Sequence, residues 1–305
     1  MVEDFDSEAV PAAVVALAAG IPLFAGASER RISPLSGVLS LNNANYRVDC
    51  DGISYLLRIG ADTARHLGIR REEEIAAAMA AASVGVAPAV LYAEPSGVIV
   101  TSFVVGRHWE PEAFHEPQNL LRLAETLRRL HSVRNVTAEG SSFRRIERLL
   151  NSARSLGLEL PSRIEEYRTR LAGIEAGRRS DPRFVPGLAH NDLWANNFLD
   201  DGAHLYLVDW EFAGQGDGLI DLATISMAGQ YSEAEQRTLL AAYGLPEDRD
   251  YETLQTMKWV ITFFEAGWAL VMDGLRGQGR AASDIGGDFD YALHASRMFE
   301  RLSLF

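Results

Sequence analysis

The first third of the chain alternates apolar and polar positions in short stretches, which predicts β-strands. The Asp51-Gly52 pair is typical of a tight turn between two paired strands. We therefore predict an N-terminal sheet. Its strands are expected within residues 32–48, which hold two strands around a polar turn, and at 53–59, 89–93 and 98–103.

Two stretches in this part of the chain favour helices instead. Residues 70–84 are rich in Ala, have high helix propensity and stop before Gly85. Residues 10–26 are almost wholly apolar, but they follow acidic rather than basic residues and contain Pro11 and Pro22. They are also shorter than the ~20 residues of a membrane span, so we predict a packed helix rather than a signal peptide or an anchor.

Beyond Gly106 the pattern becomes helical, so this glycine is a candidate hinge. Apolar residues recur every three or four positions across 116–131, which predicts an amphipathic helix packed on a core. Residues 141–177 predict one or two helices with solvated outer faces. The apolar stretch 256–275 carries three charged residues, which favours a buried helix over a membrane span.

Composition narrows the classes of partner. The chain has 29 basic and 42 acidic residues, a net charge of −13. Such a surface repels nucleic acid and anionic membranes and attracts small cations, so neither of those partners is expected. The single Cys50 excludes an internal disulfide and fits a reducing, cytoplasmic location.

The most informative stretch spans residues 190–197. It contains Asp192 and, five positions later, Asn197, and a second aspartate, Asp209, follows twelve residues further on. This is the spacing of a kinase catalytic loop and its metal-binding aspartate. In such a loop one Asp positions an attacking hydroxyl and accepts its proton, while the Asn and the second Asp hold Mg²⁺. The alternative is an ordinary polar loop beside a hairpin, which the distance to Asp209 disfavours.

The segment between the two motifs predicts that hairpin. Two short apolar strands flank Asp201-Gly202, a strong turn signal. A two-residue turn there would pair residue 200 with residue 203 and carry Asp209 back toward the catalytic loop.

Three further features leave alternatives open. Asp221 precedes an apolar helix start and fits either a helix N-cap or an acceptor that holds the catalytic loop from below. Glu74 fits either a partner for Arg58 or part of a solvated helix face. The third feature is a C-terminal pair of aromatic stripes around Glu265, which are either core or a cage for a cationic substrate. The stripes consist of Trp259 with Phe263 and of Phe264, Trp268 and Met272.

Over residues 32–274 the chain resembles the choline/ethanolamine kinase family, within the wider aminoglycoside phosphotransferase and protein-kinase-like group. Unlike protein kinases, it carries Arg58 where they carry Lys. It departs from the family at Val38, where a second glycine is usual, and by about two extra residues before Asn43. The matching pieces are Pro34-Leu35-Ser36-Gly37, Asn43-x-Asn45-Tyr46, Tyr55-Leu56-Leu57-Arg58-Ile59, Arg71-x-x-Glu74, Gly85-Val86-Ala87-Pro88, His190-Asn191-Asp192 through Asn197, and Asp209-Trp210-Glu211.

The resemblance implies a role for each matching residue. Asp192 would be the catalytic base, Asn197 and Asp209 the Mg²⁺ ligands, and Arg58 with Glu74 the phosphate-positioning pair. ATP would also contact Ser36, Gly37, Asn45 and the segment from Thr101 to Val104, which includes Phe103. The expected substrate-binding residues are Glu211, which would hold the metal or the substrate cation, and Trp194, Phe264 and Trp268.

The expected fold is α+β and two-lobed, similar to protein kinases, with a small N-lobe over 1–105 and a larger helical C-lobe over 106–305. The resemblance implies ATP- and Mg²⁺-dependent phosphorylation of a small amino alcohol, choline or ethanolamine first. An aminoglycoside, thiamine or methylthioribose is the alternative acceptor. The intact catalytic residues argue against a third reading, a nucleotide-binding pseudokinase. A second copy of the chain, in a homodimer, is a further candidate partner.

Overall fold

A computed structural model describes residues 10–35, 43–60, 66–279 and 289–305 of the chain. Its N-terminal part contains a five-stranded antiparallel sheet and two helices, α1 (Ala12–Gly20) and α2 (Arg71–Ser83). The strands are β1 (Arg30–Pro34), β2 (Asn43–Cys50), β3 (Ile53–Gly60), β4 (Val90–Ala93) and β5 (Val98–Ser102). Their order across the sheet is β1-β2-β3-β5-β4.

The turn between β2 and β3 has the predicted local chemistry. Asp51 and Gly52 both have positive φ angles, 48° and 83°, and Cys50 pairs directly with Ile53. Two consecutive residues with positive φ match the right-handed twist of the strands on either side, and Asp and Gly adopt this conformation more readily than other residues. This hairpin brings Asn45 opposite Arg58 at its other end.

The sheet and α2 bury their apolar faces in two separate apolar clusters. Residues of α1 pack under the sheet, where Phe24 and Leu57 are almost fully buried. The small side chains of α2, Ala77 and Ala81 among them, belong to the large apolar cluster of the C-terminal helices. As a result, α2 links the sheet to the helical part of the molecule.

The C-terminal part is mostly helical, with short strands around the catalytic stretch. Its helices are α3 (Pro117–Ser132), α4 (Ser142–Ser155), α5 (Ile164–Ser180), α6 (Gly218–Ala228), α7 (Glu233–Tyr243), α8 (Asp248–Gly277) and α9 (Tyr291–Arg301). Its strands are β6 (Arg107–His108), β7 (Gly187–Ala189), β8 (Phe198–Asp200), β9 (Leu205–Leu207) and β10 (Gly214–Gly216). The α+β, two-lobed prediction is confirmed.

Helix α8 runs through the middle of this part. Trp259 and Phe263 on one side of it are fully buried, and both pack against Tyr167 of α5. Within the described ranges, no helix has the length and apolarity needed to cross a bilayer.

The hairpin after the catalytic loop forms, but with a different register from the predicted one. Asp200 pairs with Leu205 instead of residue 203, so the connection has four residues rather than two. The cause is the side chain of Asp201, whose carboxylate accepts backbone hydrogen bonds from Ala203 (2.8 Å) and His204 (2.6 Å). These bonds stabilise a wider turn than an Asp-Gly pair alone would form.

Candidate active site

The predicted catalytic aspartates open on the same cavity. Asp192 and Asp209 both line a space of about 550 Å³ in the C-terminal part. The same cavity is lined by one further glutamate from the motif, Glu211, and by one from α8, Glu265. Its remaining walls are mainly aromatic. They consist of Trp194, Ala195, Asn196, Phe212, Phe264, Trp268, Phe289, Tyr291 and His294.

The catalytic loop is held from below by Asp221. This carboxylate is fully buried and accepts backbone hydrogen bonds from His190 (2.8 Å) and Asn191 (2.7 Å). It also accepts a side-chain hydrogen bond from Nε2 of His131, at 2.9 Å. Asp217, not Asp221, caps α6, since its side chain accepts the N–H of Leu219. The loop-holding alternative for Asp221 is therefore confirmed, and the N-cap alternative is wrong.

His190 fastens the loop to the hairpin. Its Nε2 lies 3.0 Å from the carbonyl of Val208, and the N–H of Val208 donates to the carbonyl of Asn197. Burial lowers the pKa of His190 to about 4, so the ring is neutral at pH 7. Because the partner is a carbonyl, a neutral His190 must carry its proton on Nε2. This contact fixes the start of the loop relative to the residue before Asp209.

Asn197 contacts Asp192 directly. Its amide nitrogen donates to the Asp192 carbonyl at 2.7 Å and to a carboxylate oxygen at 3.2 Å. The pKa of Asp192 is raised well above its usual value, first by burial and then by the negative charges of Asp209, Glu265 and Glu211. A carboxylate with a raised pKa is a stronger base than an exposed one, as proton transfer from an alcohol requires.

The two lobes meet at a cluster of carboxylates and guanidinium groups. Arg58 of β3 bonds Glu74 of α2 and, at 3.2 Å, Asp209. Arg71 bonds Glu74 and Glu211, each at 2.8 Å. The Arg58–Glu74 pairing that the sequence left open is present, and Glu74 is buried rather than part of a solvated face. Arg71 is a member of this cluster to which no role had been assigned.

Asp209 stands out in this cluster. Its backbone has a φ of 65°, as does that of Asn191, and neither residue is glycine. A positive φ costs conformational energy at residues other than glycine, and such strain is often found where a functional site fixes the position of a side chain. Its pKa is raised to about 8, by burial and by Glu211 and Glu74, with Arg58 and Arg71 opposing the shift.

The donor set fits a hard divalent cation such as Mg²⁺. Oxygen atoms of Glu74, Asp209 and Glu211 all lie within 4.8 Å of one another. Asn197 uses its NH₂ group on Asp192, so its amide oxygen takes no part in these bonds. Carboxylate and amide oxygens are the ligands that Mg²⁺ takes in proteins. Glu74 and Glu211 have only 1% and 3% of their side chains exposed, and each bonds an arginine at 2.8 Å. Asp209 is 27% exposed and its contact with Arg58 is longer, 3.2 Å, so Asp209 is the carboxylate more open to an ion.

The predicted nucleotide residues are only partly brought together. Thr101 lines a narrow space of about 60 Å³ between the lobes, together with Arg58 and Glu74. The backbone N–H groups of Ser102 and Phe103 already donate to Ala89 and Ser54, so a base could contact only the carbonyls there and the N–H of Val104.

The other nucleotide residues lie apart from that space. The ring of Phe103 packs under the guanidinium of Arg47, 4.8 Å away, and lines neither cavity. Asn45 offers a buried side-chain oxygen that has no hydrogen-bond partner among the residues the structure describes. Ser36 and Gly37 lie outside the described residues.

The residues of the two aromatic stripes of α8 differ in their surroundings. Trp259 and Met272 are core residues, whereas Phe264 and Trp268 face the cavity. Phe264 packs edge-on against Phe212, with ring centroids 5.6 Å apart, and Trp268 packs in the same way against Tyr291. All four residues predicted to bind substrate line the cavity.

Several lining residues were not predicted. Phe212 directly follows Glu211, so its place beside the motif could have been found. Tyr291 and His294 lie in the first turn of α9 and Phe289 lies just before it, about eighty residues from the motif, and no local pattern marks them.

Comparison with known proteins agrees with this geometry. Residues 34–256 match the family model described as a phosphotransferase enzyme family. The chain is 28% identical over 216 residues to protein LicA of Haemophilus influenzae, which covers 69% of this chain and 62% of that protein. It thus spans less than two thirds of that relative.

Two solved structures share the fold. A choline/ethanolamine kinase family protein from Mesorhizobium loti is 26% identical and superposes with a TM-score of 0.73, covering 96% of this chain and 93% of that one. The choline kinase LicA from Streptococcus pneumoniae is 20% identical with a TM-score of 0.69, covering 90% and 94%.

Proposed function

The chain belongs to the phosphotransferase enzyme family, and we propose that it transfers the γ-phosphoryl group of ATP to the hydroxyl of a small amino alcohol, choline or ethanolamine. One observation carries the choice of acceptor. The cavity beside Asp192 combines an aromatic wall with carboxylates, a lining that suits a single ammonium group. An aminoglycoside would need more carboxylates and fewer aromatic rings.

In this proposal Asp192 orients the acceptor hydroxyl and takes its proton as the oxygen attacks the γ-phosphorus. The bond from that phosphorus to the bridging oxygen breaks, ADP leaves, and a phosphomonoester and one proton result. Asn197 donates to Asp192, so it holds the carboxylate at a fixed angle to the acceptor. Such positioning accounts for much of catalysis in phosphoryl transfer.

Arg58 would contact the nucleotide phosphates, with Glu74 holding its head group in place. Asp209 and Asn197 would hold Mg²⁺, which, when bound, offsets the negative charge of the phosphates. Arg58 already contacts Asp209 at 3.2 Å, so the metal ligand and the phosphate contact are adjacent.

The test is a direct assay of phosphorylated product by mass spectrometry, with ATP and Mg²⁺. The acceptors are choline, ethanolamine, thiamine, methylthioribose and an aminoglycoside. We expect kcat/KM to be highest for choline or ethanolamine, and product to be absent without Mg²⁺ and in the Asp192→Ala variant. A higher kcat/KM for another acceptor would refute the choice of substrate. No product with any acceptor would refute the proposed phosphoryl transfer.

A further inference from the structure

We infer that Glu265 is the carboxylate that binds the ammonium group of the substrate, and that His294 positions it. This inference rests on the proposed function. It assigns the cationic end of the substrate to α8, whereas the sequence motif had suggested Glu211 for the same task.

The four carboxylates of the cavity differ in how far their charge is already balanced. Asp209 contacts Arg58, and Glu211 is bonded to Arg71 at 2.8 Å with only 3% of its side chain exposed. Asp192 faces the acceptor hydroxyl in the proposed reaction. In the described part of the chain, Glu265 contacts His294, with Oε2 of Glu265 3.5 Å from Nε2 of His294. This distance is longer than a charge-assisted hydrogen bond, so the carboxylate of Glu265 is less balanced by the protein and is more available to a cationic ligand.

The position of Glu265 also suits an ammonium group. It follows Phe264 in the sequence and precedes Trp268 by three positions, so on a helix it lies beside Trp268 on the surface that faces the cavity. A cation next to its carboxylate would therefore also lie against aromatic faces, where attraction adds about 0.5–2 kcal/mol per ring.

Glu265 and the catalytic base Asp192 line the same cavity. A short amino alcohol has its hydroxyl and its nitrogen two carbons apart. In the proposed pose its nitrogen lies at Glu265 and its hydroxyl at Asp192, both within this cavity.

His294 supports this carboxylate from the neighbouring helix. Its Nε2 atom is buried and lies 3.5 Å from Oε2 of Glu265, and within the described ranges it has no hydrogen-bond partner. Its ring packs 5.2 Å from that of Phe289, and the start of α9 is fixed by Asp290, which accepts the N–H of Leu293 at 2.9 Å. His294 therefore limits where the Glu265 side chain can move and keeps it at the cavity wall.

The experiment compares choline with 3,3-dimethyl-1-butanol, in which a carbon replaces the nitrogen and the shape is kept. Glu265→Gln should lower the ratio of kcat/KM for choline to that for the uncharged alcohol by about tenfold or more, mainly through KM for choline. His294→Gln should lower the ratio less. The matched control is Glu252→Gln, which removes one exposed charge from the same helix and should leave the ratio unchanged.

If Glu265→Gln does not fold, Glu265→Asp can replace it. The shorter Asp side chain keeps the charge but holds it further from the cavity, so this variant should give an intermediate ratio. An unchanged ratio in folded Glu265 variants would overturn the inference while leaving the proposed function intact. Failure of the wild-type enzyme to phosphorylate any cationic alcohol would instead refute the proposed function.

Discussion

Substituting Asp221 by Asn should loosen the catalytic loop without touching any reacting group. The carboxylate of Asp221 is fully buried beneath the loop and faces three donors. One oxygen accepts the N–H of Asn191 at 2.7 Å, and the other accepts the N–H of His190 at 2.8 Å and Nε2 of His131 at 2.9 Å. In the variant an NH₂ group must replace one of these oxygens, so a donor then faces at least one of the donors.

The magnitude follows from those contacts. A hydrogen bond to a charged group contributes about 1.5–3 kcal/mol, and a buried donor without an acceptor costs about 1–3 kcal/mol. In its best orientation the amide still accepts two of the three hydrogen bonds, but these are now bonds to a neutral oxygen, and the third donor has no acceptor. We therefore expect a loss of about 3 kcal/mol in the free energy of unfolding. For a chain of this length that lowers Tm by roughly 5 °C. Displacing Asp192 by even ~1 Å would lower kcat by about 100-fold.

Urea denaturation monitored by tryptophan fluorescence measures the first effect, and kcat at saturating substrate measures the second. Asp217→Asn is the matched control. Asp217 caps the same helix but makes no bond to the catalytic loop, and Asn is also a good N-cap residue. It should keep kcat, but it also weakens the ion pair of Asp217 with Arg178 (2.7 Å), so we expect a loss of about 1.5–3 kcal/mol in the free energy of unfolding. The reasoning is refuted if Asp221→Asn unfolds at the wild-type urea concentration, or if both variants lose the same activity.

Three further predictions concern the aspartates that face the cavity. Asp192→Asn should reduce kcat by at least about 100-fold with MgATP affinity by calorimetry retained; near wild-type turnover would remove its role as base. In the wild type, kcat should rise with pH through a pKa well above that of an ordinary aspartate, because burial and neighbouring carboxylates favour the protonated form; a limb near pH 4 would contradict this. Asp209→Asn should abolish Mg²⁺-dependent nucleotide binding and yet raise Tm. The pKa of Asp209 is raised to about 8, so its stabilising contribution is present near pH 4 and is lost as the pH rises to 8. The gain in Tm should therefore be larger at pH 8 than at pH 4, and an equal gain at both would contradict the assignment.

What could be predicted from the sequence depended on how local the cause was. The β2–β3 hairpin needs only two residues with positive φ, Asp51 and Gly52, and it forms as expected. The second Asp-Gly pair misled because the Asp201 side chain bonds the backbone of the following residues and widens the turn. Turn residues thus predicted both hairpins, but only the fully local case gave the register.

The cavity shows why its lining could be predicted only in part. Periodicity placed Trp259 with Phe263 on one stripe of α8 and Phe264 with Trp268 on the next. It could not say which stripe faces the core, because that depends on how α5 and α9 pack against α8. Tyr167 of α5 covers the first stripe, while the start of α9 adds residues beside the second.

The charges around the cavity lead to a last prediction, that binding of a cationic substrate releases protons. Burial and the charges of Asp209, Glu265 and Glu211 raise the pKa of Asp192. An ammonium group at Glu265 would offset one of these charges and lower the pKa of Asp192 toward its ordinary value. The substrate would thereby help to ionise the base that activates its own hydroxyl.

Calorimetry in buffers of different ionisation enthalpy measures the protons released. Choline should release a fraction of a proton at a pH near the raised pKa of Asp192, and the uncharged 3,3-dimethyl-1-butanol should release none. Asp192→Asn should abolish the release while choline still binds, because the group that loses the proton is absent. Equal release by the two alcohols would show that the charge of the substrate does not act on Asp192, since shape and apolar contact are the same for both.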